Sequence, residues 1–191
     1  FIQMILTDTP GWPWRGKLWG HLVSDSSLEE LHEFAQRIGK RRIGFQGDHY
    51  DIDAEEHALA VREGAQCVDS RELVRRLRDS GLRKRSKKEP WSIAYQSENV
   101  HPYVKVNEIA AGVITRRDHR DSAQRALASA RSSSDPISVL IVERSKETAI
   151  VLEVLDPPLF DPRTVDYLIH TMKGDVTTVE LIFDSSERSG H

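Results

Sequence analysis

The sequence is poor in cysteine and in long apolar runs, and each absence excludes a class of protein. Of its 191 residues only Cys67 is a cysteine, so neither an internal disulfide nor a zinc ribbon built from paired cysteines can form. No apolar run approaches the ~20 residues that a membrane-spanning helix needs, and we expect no association with a membrane. The start of the chain, Phe1 to Leu6, lacks the basic region of a secretory signal. We therefore expect a cytoplasmic protein.

The composition is ordinary for a globular protein, but the charge is unevenly distributed. Hydrophobic residues make up 38% of the chain and charged residues 30%, with a net charge of -3. Residues 83–90 form a basic island, in which five basic side chains stand against the single acidic Glu89. This island predicts a linker over 83–90 between two domains, residues 1–82 and 91–191. It is either a solvated linker or a contact for phosphate or nucleic acid.

The densest group of chemically active side chains lies in the stretch Gly47-Asp48-His49-Tyr50-Asp51. Four of these five residues can ligate a metal or move a proton. The stretch follows an apolar segment at 43–45 and precedes a capping box that opens at Asp53, so we predict a strand-to-helix turn. Such density is uncommon in a loop that only connects, although Asp is also a common turn former. The sequence therefore predicts a functional site at this turn.

The order of elements in the first half predicts a small three-layer parallel α/β domain. Predicted strands at 4–7, 43–45 and 66–68 alternate with helices. Asp8 and Asp69 directly follow the strands at 4–7 and 66–68, and Asp48 lies three residues after the strand at 43–45.

The carboxyl ends of parallel strands share one sheet edge, where open α/β folds bind ligands. Three carboxylates that converge there repel one another unless a cation offsets their charge. The sequence thus predicts a divalent-metal site for Mg, Mn or Zn. The alternative is that Asp69, and also Asp48, serve as helix caps or turn formers.

Three of the four tryptophans, Trp12, Trp14 and Trp19, lie within eight positions, in a stretch interrupted by proline and glycine. Such a cluster either packs as a satellite core or forms a stacking wall, because an indole offers a flat face to a base or ring. His21 follows, just before a predicted helix, and is either a structural hydrogen-bonding group or part of the site.

The second half predicts an α+β ferredoxin-like (split βαβ) domain. Strands are predicted at 91–95, 137–142, 149–154 and 176–183, with one helix after residue 121 and another from Asp161 to Gly174. No dense catalytic cluster occurs there. We expect a binding or oligomerisation domain, with homodimerisation through 91–191.

Residues 5–82 resemble the bacterial and phage family known as domain of unknown function 4031. The His-Tyr-Asp triplet at 49–51 is the landmark of that family, and the name carries no activity. At the level of the fold alone, the predicted acidic residues at strand ends are similar to PIN-like nuclease domains, which hold divalent metal for phosphodiester hydrolysis. The segments that carry the family resemblance are Leu6-Thr7-Asp8, Trp12-Pro13, Gly16-Lys17-Leu18-Trp19, His21-Leu22-Val23-Ser24-Asp25, Ser27-Leu28-Glu29-Glu30-Leu31-His32, Phe45-Gln46-Gly47-Asp48-His49-Tyr50-Asp51 and Ser70-Arg71-Glu72-Leu73-Val74.

Together these observations predict a metal-dependent phosphoester hydrolase acting on a nucleotide or nucleic acid. The alternative is a non-catalytic nucleotide- or partner-binding protein. In the first case a metal-bound water is the nucleophile. The predicted metal ligands are Asp8, Asp48 and Asp51, with Asp69 less central. His21, His49 and Asp51 are predicted catalytic groups, the histidines acting as further ligands or as general acid and base. Predicted substrate contacts are Trp12, Trp14, Trp19, Tyr50 and Arg71.

Overall fold

The structure, a computed structural model, describes residues 4–84, 88–132 and 134–186. In these ranges it is a mixed α/β fold with two sheets and five helices. The chain divides into two compact units, Phe1–Lys88 and Glu89–His191. None of the helices in the described ranges has the length and apolar character needed to cross a membrane.

A long hairpin organises the first unit. Strands β1 (Ile5–Thr7) and β2 (Trp12–Trp14) both pair antiparallel with β3 (Lys17–Ser24). Between the two pairings the register slips by two residues, and residues 8–11 bulge out of the ladder. Strand β4 (Tyr50–Asp53) pairs antiparallel with β3, and β5 (Gln66–Cys67) pairs parallel with β1.

The predicted parallel sheet is therefore wrong, because β1–β5 is the one parallel pairing among the described strands of this unit. Residues Arg42–Gly44 form a 3-10 helix where a strand was predicted. The tryptophan stretch, predicted to be irregular, supplies β2 and the start of β3. Pro13 is tolerated in β2 because this strand lies at the sheet edge, where one row of backbone groups needs no partner.

Three helices begin at residues that the sequence marks as caps. Helix α1 (Leu28–Arg37) follows Ser27, α2 (Ala54–Arg62) follows a capping box formed by Asp53, and α3 (Ser70–Asp79) follows Asp69. The Asp69 carboxylate accepts hydrogen bonds from two backbone N–H groups of the first turn of α3, so its interpretation as a helix cap is confirmed.

Two apolar clusters hold this unit together. One lies between the sheet and helices α1 and α2, and it includes Leu22, Leu31, Phe34 and Ile52. The other joins Leu6 and Val23, which are partners in the β1–β3 register, to Leu73 and Leu77 of α3. Adjacent residues of one strand thus face different clusters, as the two-residue period of a strand requires.

The second unit is one antiparallel sheet with two helices. Its strands are β6 (Ser92–Ser97), β7 (Ser138–Arg144), β8 (Glu147–Val154), β9 (Tyr167–Lys173) and β10 (Val176–Asp184), in the order β6-β7-β8-β10-β9. Helices α4 (Tyr103–Val113) and α5 (Arg117–Ala128) follow one another between β6 and β7. They pack through Val106, Ala110, Ala123 and Leu127 on the core that the sheet supplies.

The predicted ferredoxin-like order is not what this unit adopts. Residues 161–174 were predicted as a helix, but they form a short 3-10 helix (Pro162–Thr164) and strand β9. The spacing of Val165, Leu168, Ile169 and Met172 matches a helical stripe. In the structure, however, Met172 is exposed and β9 pairs along its whole length with β10. Long-range strand pairing overrides the local periodicity here.

His32, on α1, has a strongly perturbed acidity. Its Nδ1 lies 2.8 Å from the Tyr50 hydroxyl, and its ring makes an edge contact with Phe45. Burial, with the positive charges of Arg42 and Lys88 nearby, lowers the pKa of His32 to about 4.

We expect the stability of the first unit to fall as pH drops from neutral towards 4. His32 has a pKa of about 4 when folded and ~6.5 when unfolded. In this window the unfolded state binds more protons, so acidification favours unfolding by up to about 3 kcal/mol. Urea unfolding of wild type and His32→Gln between about pH 7 and pH 4.5 measures the effect. A His32→Gln variant that keeps the full wild-type pH dependence would assign the effect to another group.

Candidate functional site

Two imidazoles and a carboxylate converge where β3 meets β4. His21 in β3 and Asp51 in β4 are directly opposed in the register, and His49 lies two residues before Asp51. The rings of His21 and His49 meet edge to face with centroids 5.3 Å apart. His49 Nε2 lies 3.2 Å from Asp51 Oδ1. One ligand atom from each of these three residues lies within 4.8 Å of the other two.

Asp8 holds His21 in place. In the bulge after β1, its Oδ1 accepts the backbone N–H of His21 at 2.6 Å. Its Oδ2 lies 3.0 Å from His21 Nδ1 and accepts the Ser70 hydroxyl at 2.8 Å. Burial alone would raise the pKa of the Asp8 carboxyl, but the hydrogen bonds from His21 and Ser70 outweigh it and lower the pKa. The carboxylate is thus ionised and only accepts, so His21 Nδ1 is the donor in this contact.

Asp48 holds His49 in the same way. Its Oδ1 lies 2.6 Å from His49 Nδ1, and its Oδ2 accepts the backbone N–H of Lys84 at 2.8 Å. Arg83 Nη1 is 3.4 Å from the same oxygen. Burial would lower the pKa of His49, but hydrogen bonds to Asp51 and Asp48 outweigh it and raise the pKa.

With Nδ1 of each imidazole facing a carboxylate, Nε2 is the ring nitrogen left for a ligand, and His49 Nε2 already lies beside Asp51. A histidine that ligates a metal characteristically donates its other N–H to a carboxylate, which fixes the ring and raises its basicity. Two imidazole nitrogens and a carboxylate oxygen suit Zn²⁺ and the neighbouring divalent transition metals.

The tryptophans border this group on the His21 side. Trp12 stacks on His21 with the ring planes 3° apart and the centroids 5.3 Å apart. Trp19 makes edge contacts with Trp12 and Trp14. Trp12 is 39% exposed and Trp14 is 53% exposed. This exposure does not fit a satellite core, and it leaves aromatic surface open beside the histidines.

Three other residues predicted for the site are not part of the group formed by His21, His49 and Asp51. Tyr50 is 1% exposed, and its hydroxyl contacts His32, so in this structure it offers almost no surface to a substrate. Asp69 caps α3. Arg71 is exposed on the first turn of α3, and no hydrogen bond or ion pair among the described residues joins it to the histidines.

Two groups of the site were missed by sequence reasoning. They are the Ser70 hydroxyl, which supports Asp8, and the Lys84 backbone N–H, which supports Asp48. Ser70 lies 62 positions after Asp8, and Lys84 lies 36 positions after Asp48. A backbone donor carries no side-chain signature, so no motif could have indicated Lys84.

Comparison with known proteins identifies one segment of the chain. Residues 5–80 match the model of a family described as "Protein of unknown function (DUF4031)". The resemblance seen in the sequence is thus confirmed for that segment, which holds His21, His49 and Asp51 together with Asp8 and Asp48. No curated protein and no solved structure matches the chain.

We expect Gly20→Ala to disturb the site by displacing Asp8. A Cβ at position 20 would lie 2.7 Å from the Asp8 carbonyl oxygen and 2.9 Å from Asp8 Oδ1. Asp8 must then move away from His21, at a cost of about 1–3 kcal/mol. Gly11→Ala in the same bulge is the control, because its nearest contact would be an ordinary 3.7 Å. Urea unfolding and the NMR signal of the His21 Nδ1 proton measure the effect, and identical behaviour of the two variants would contradict it.

Proposed function

We propose that the chain is a metal-dependent phosphoester hydrolase that acts on a nucleotide or a nucleic acid. The observation that carries the proposal is the convergence of His21, His49 and Asp51, with each imidazole held at Nδ1 by a buried carboxylate. Such supporting carboxylates cost desolvation energy and are expected where imidazoles must be oriented for a metal.

In this proposal the ligands are His21 Nε2, His49 Nε2 and an oxygen of Asp51. Asp8 and Asp48 take a different role from the one that the sequence predicts. Both carboxylate oxygens of each are already engaged by N–H or O–H groups, so they orient the histidines and do not ligate. Three protein ligands leave coordination positions open for water and substrate, as catalytic metal sites require.

A bound divalent cation would supply an activated water and polarise a phosphoryl oxygen. Hydrolysis adds the water oxygen to phosphorus and breaks the bond to the leaving alkoxide, which takes up a proton. His21 and His49 use both ring nitrogens for orientation and ligation, so neither remains as a general base. The negative charge of Asp8 and Asp48 makes the imidazoles better donors to the cation.

The surroundings favour a ligand that carries both an aromatic ring and a phosphate. Exposed Trp12 and Trp14 offer faces on which a nucleobase can stack. On the His49 side, the Arg83 guanidinium lies 3.4 Å from Asp48 Oδ2. Aromatic surface thus lies beside His21 and a guanidinium beside Asp48, a combination that suits nucleotides and single strands.

The fold itself adds nothing to this proposal. The PIN-like similarity rested on acidic residues at the ends of parallel strands, and this sheet is mainly antiparallel. The proposal therefore depends on the side-chain cluster alone.

For the second unit we keep the proposal of a binding or oligomerisation role. Its described residues bring together no comparable group of metal ligands. Strands β6 and β9 form the two edges of its sheet, and exposed Ile93 on β6 and Met172 on β9 lie there. Homodimerisation through 91–191 remains a prediction.

We expect the 191-residue chain to bind one divalent cation per molecule. Calorimetric titration with Zn²⁺, Mn²⁺, Mg²⁺ and, without oxygen, Fe²⁺ tests this. His21→Ala, His49→Ala and Asp51→Ala remove ligands and should abolish binding. Asp8→Asn and Asp48→Asn remove only the supporting charge and should weaken it by about 10–100-fold.

His57→Ala is the matched control, because His57 contacts Cys67 and lies outside the cluster. Equal affinities for the ligand variants and this control would contradict the proposed ligand set. Selective Fe²⁺ binding with oxygen consumption would replace the hydrolase by an iron oxygenase, which uses the same kind of donor set.

We expect the metal-loaded chain to hydrolyse a nucleotide or a short oligonucleotide, and a chelator to stop it. Trp12→Ala should raise KM for the oligonucleotide with little change in kcat, because stacking contributes about 1–3 kcal/mol per base. Leu18→Ala is the control, since Leu18 is 50% exposed in the same hairpin and belongs to the alternate face of the strand from Trp19. Tight nucleotide binding without turnover or metal would favour the non-catalytic alternative.

A further inference from the structure

We propose that the backbone N–H of Lys84 is a positioning group of the metal centre, so that the centre is completed only by the chain segment that follows α3. This inference rests on the proposed metal site. The matched family segment ends at residue 80, and Lys84 lies beyond it.

The two histidines are supported in parallel ways, but from different parts of the chain. Asp8 is 3% exposed, and its oxygens are fixed by the His21 N–H and by the Ser70 hydroxyl. Asp48 is 2% exposed. Its Oδ1 faces His49 Nδ1, and its Oδ2 has the Lys84 N–H at 2.8 Å. Ser70 belongs to the matched segment, whereas Lys84 does not.

The Lys84 N–H is the stronger of the two donors to Asp48 Oδ2. Arg83 Nη1 stands at 3.4 Å, and the Arg83 side chain is 44% exposed, so this contact is long and screened by water. A backbone donor has no side-chain rotamers to lose, and it fixes the oxygen in one direction. Without it, Asp48 can rotate about its terminal torsion and release His49 Nδ1.

Local structure explains why Lys84 reaches Asp48. Helix α3 ends at Asp79, and Gly81 turns the chain with a φ of 79°. Leu82 then packs against the cluster of Leu6, Val23, Leu73 and Leu77. On the other side, a Cβ placed at Gly47 would lie 3.9 Å from Lys84 Cγ. Leu82 therefore anchors the segment, and residues 83 and 84 pass over the turn that carries Asp48.

The consequence is that metal affinity depends on the start of the basic island. The proline substitution Lys84→Pro removes the N–H, and Lys84→Ala keeps it while removing the same charge. In the 191-residue chain, we expect Lys84→Pro to bind Zn²⁺ or Mn²⁺ about 10–100-fold more weakly than Lys84→Ala. Because Lys84→Ala keeps the N–H, we expect its affinity for the cation to equal that of wild type.

A double-mutant cycle separates positioning from general damage. If Lys84 acts through Asp48, adding Asp48→Asn to Lys84→Pro should cost less affinity than Asp48→Asn costs in wild type. Fully additive losses would show that the proline acts elsewhere, and the inference would be overturned.

Hydrogen exchange tests the inference even if Lys84→Pro fails to fold, because it is measured on wild type and Asp48→Asn. Metal binding and ordering of the Lys84 N–H are linked, so each must favour the other. In wild type, metal should slow exchange of the Lys84 amide, and Asp48→Asn should remove this protection. An amide that exchanges at the same rate with and without bound metal overturns the inference.

Failure of the inference is distinct from failure of the proposed function. If wild type binds a cation but the two Lys84 variants bind equally well, only the role of Lys84 is overturned. If wild type binds no cation, the metal centre itself is overturned, and the role of Lys84 with it.

Discussion

The site depends on two buried carboxylates, each of which holds one imidazole. Asp8 and Asp48 are nearly inaccessible to water, where a carboxylate is stable only if hydrogen bonds replace its hydration. Each finds a donor on its own histidine and a second donor from a distant part of the chain. The first unit must therefore fold as a whole before either ring is fixed.

The position of Asp8 depends on a change of register in the hairpin formed by β1, β2 and β3. The bulge at residues 8–11 takes Asp8 out of the ladder and lets its side chain reach the His21 N–H. Gly20 leaves the space that Asp8 and Pro10 occupy, since a Cβ there would lie 3.3 Å or less from atoms of both. The bulge thus lets Asp8, directly after β1, orient the side chain of His21 in β3. Bulges commonly aim side chains in this way beside functional sites.

The candidate residues were predictable from local density, whereas their roles were not. His49 and Asp51 stand out because several polar groups crowd one turn. His21 was ambiguous, because nothing local shows that it opposes Asp51 across two strands. Asp8 and Asp48 were predicted as ligands from an expected parallel sheet. The antiparallel β3–β4 pairing instead brings His21 opposite Asp51, while Asp8 and Asp48 each contact Nδ1 of a histidine. The burial of Tyr50 could not be foreseen, because sequence position does not reveal the direction of a side chain.

The sequence by itself determined the helix starts at Ser27, Asp53 and Asp69 and the strong strands of the second unit. These follow from interactions among residues a few positions apart, such as caps and short apolar runs. Tertiary structure alone decided the sheet topology, the strand identity of 167–173 and the pairing of each histidine with its carboxylate. Those depend on contacts between residues far apart in the chain, whose energies exceed local preferences and leave no periodic trace in the sequence.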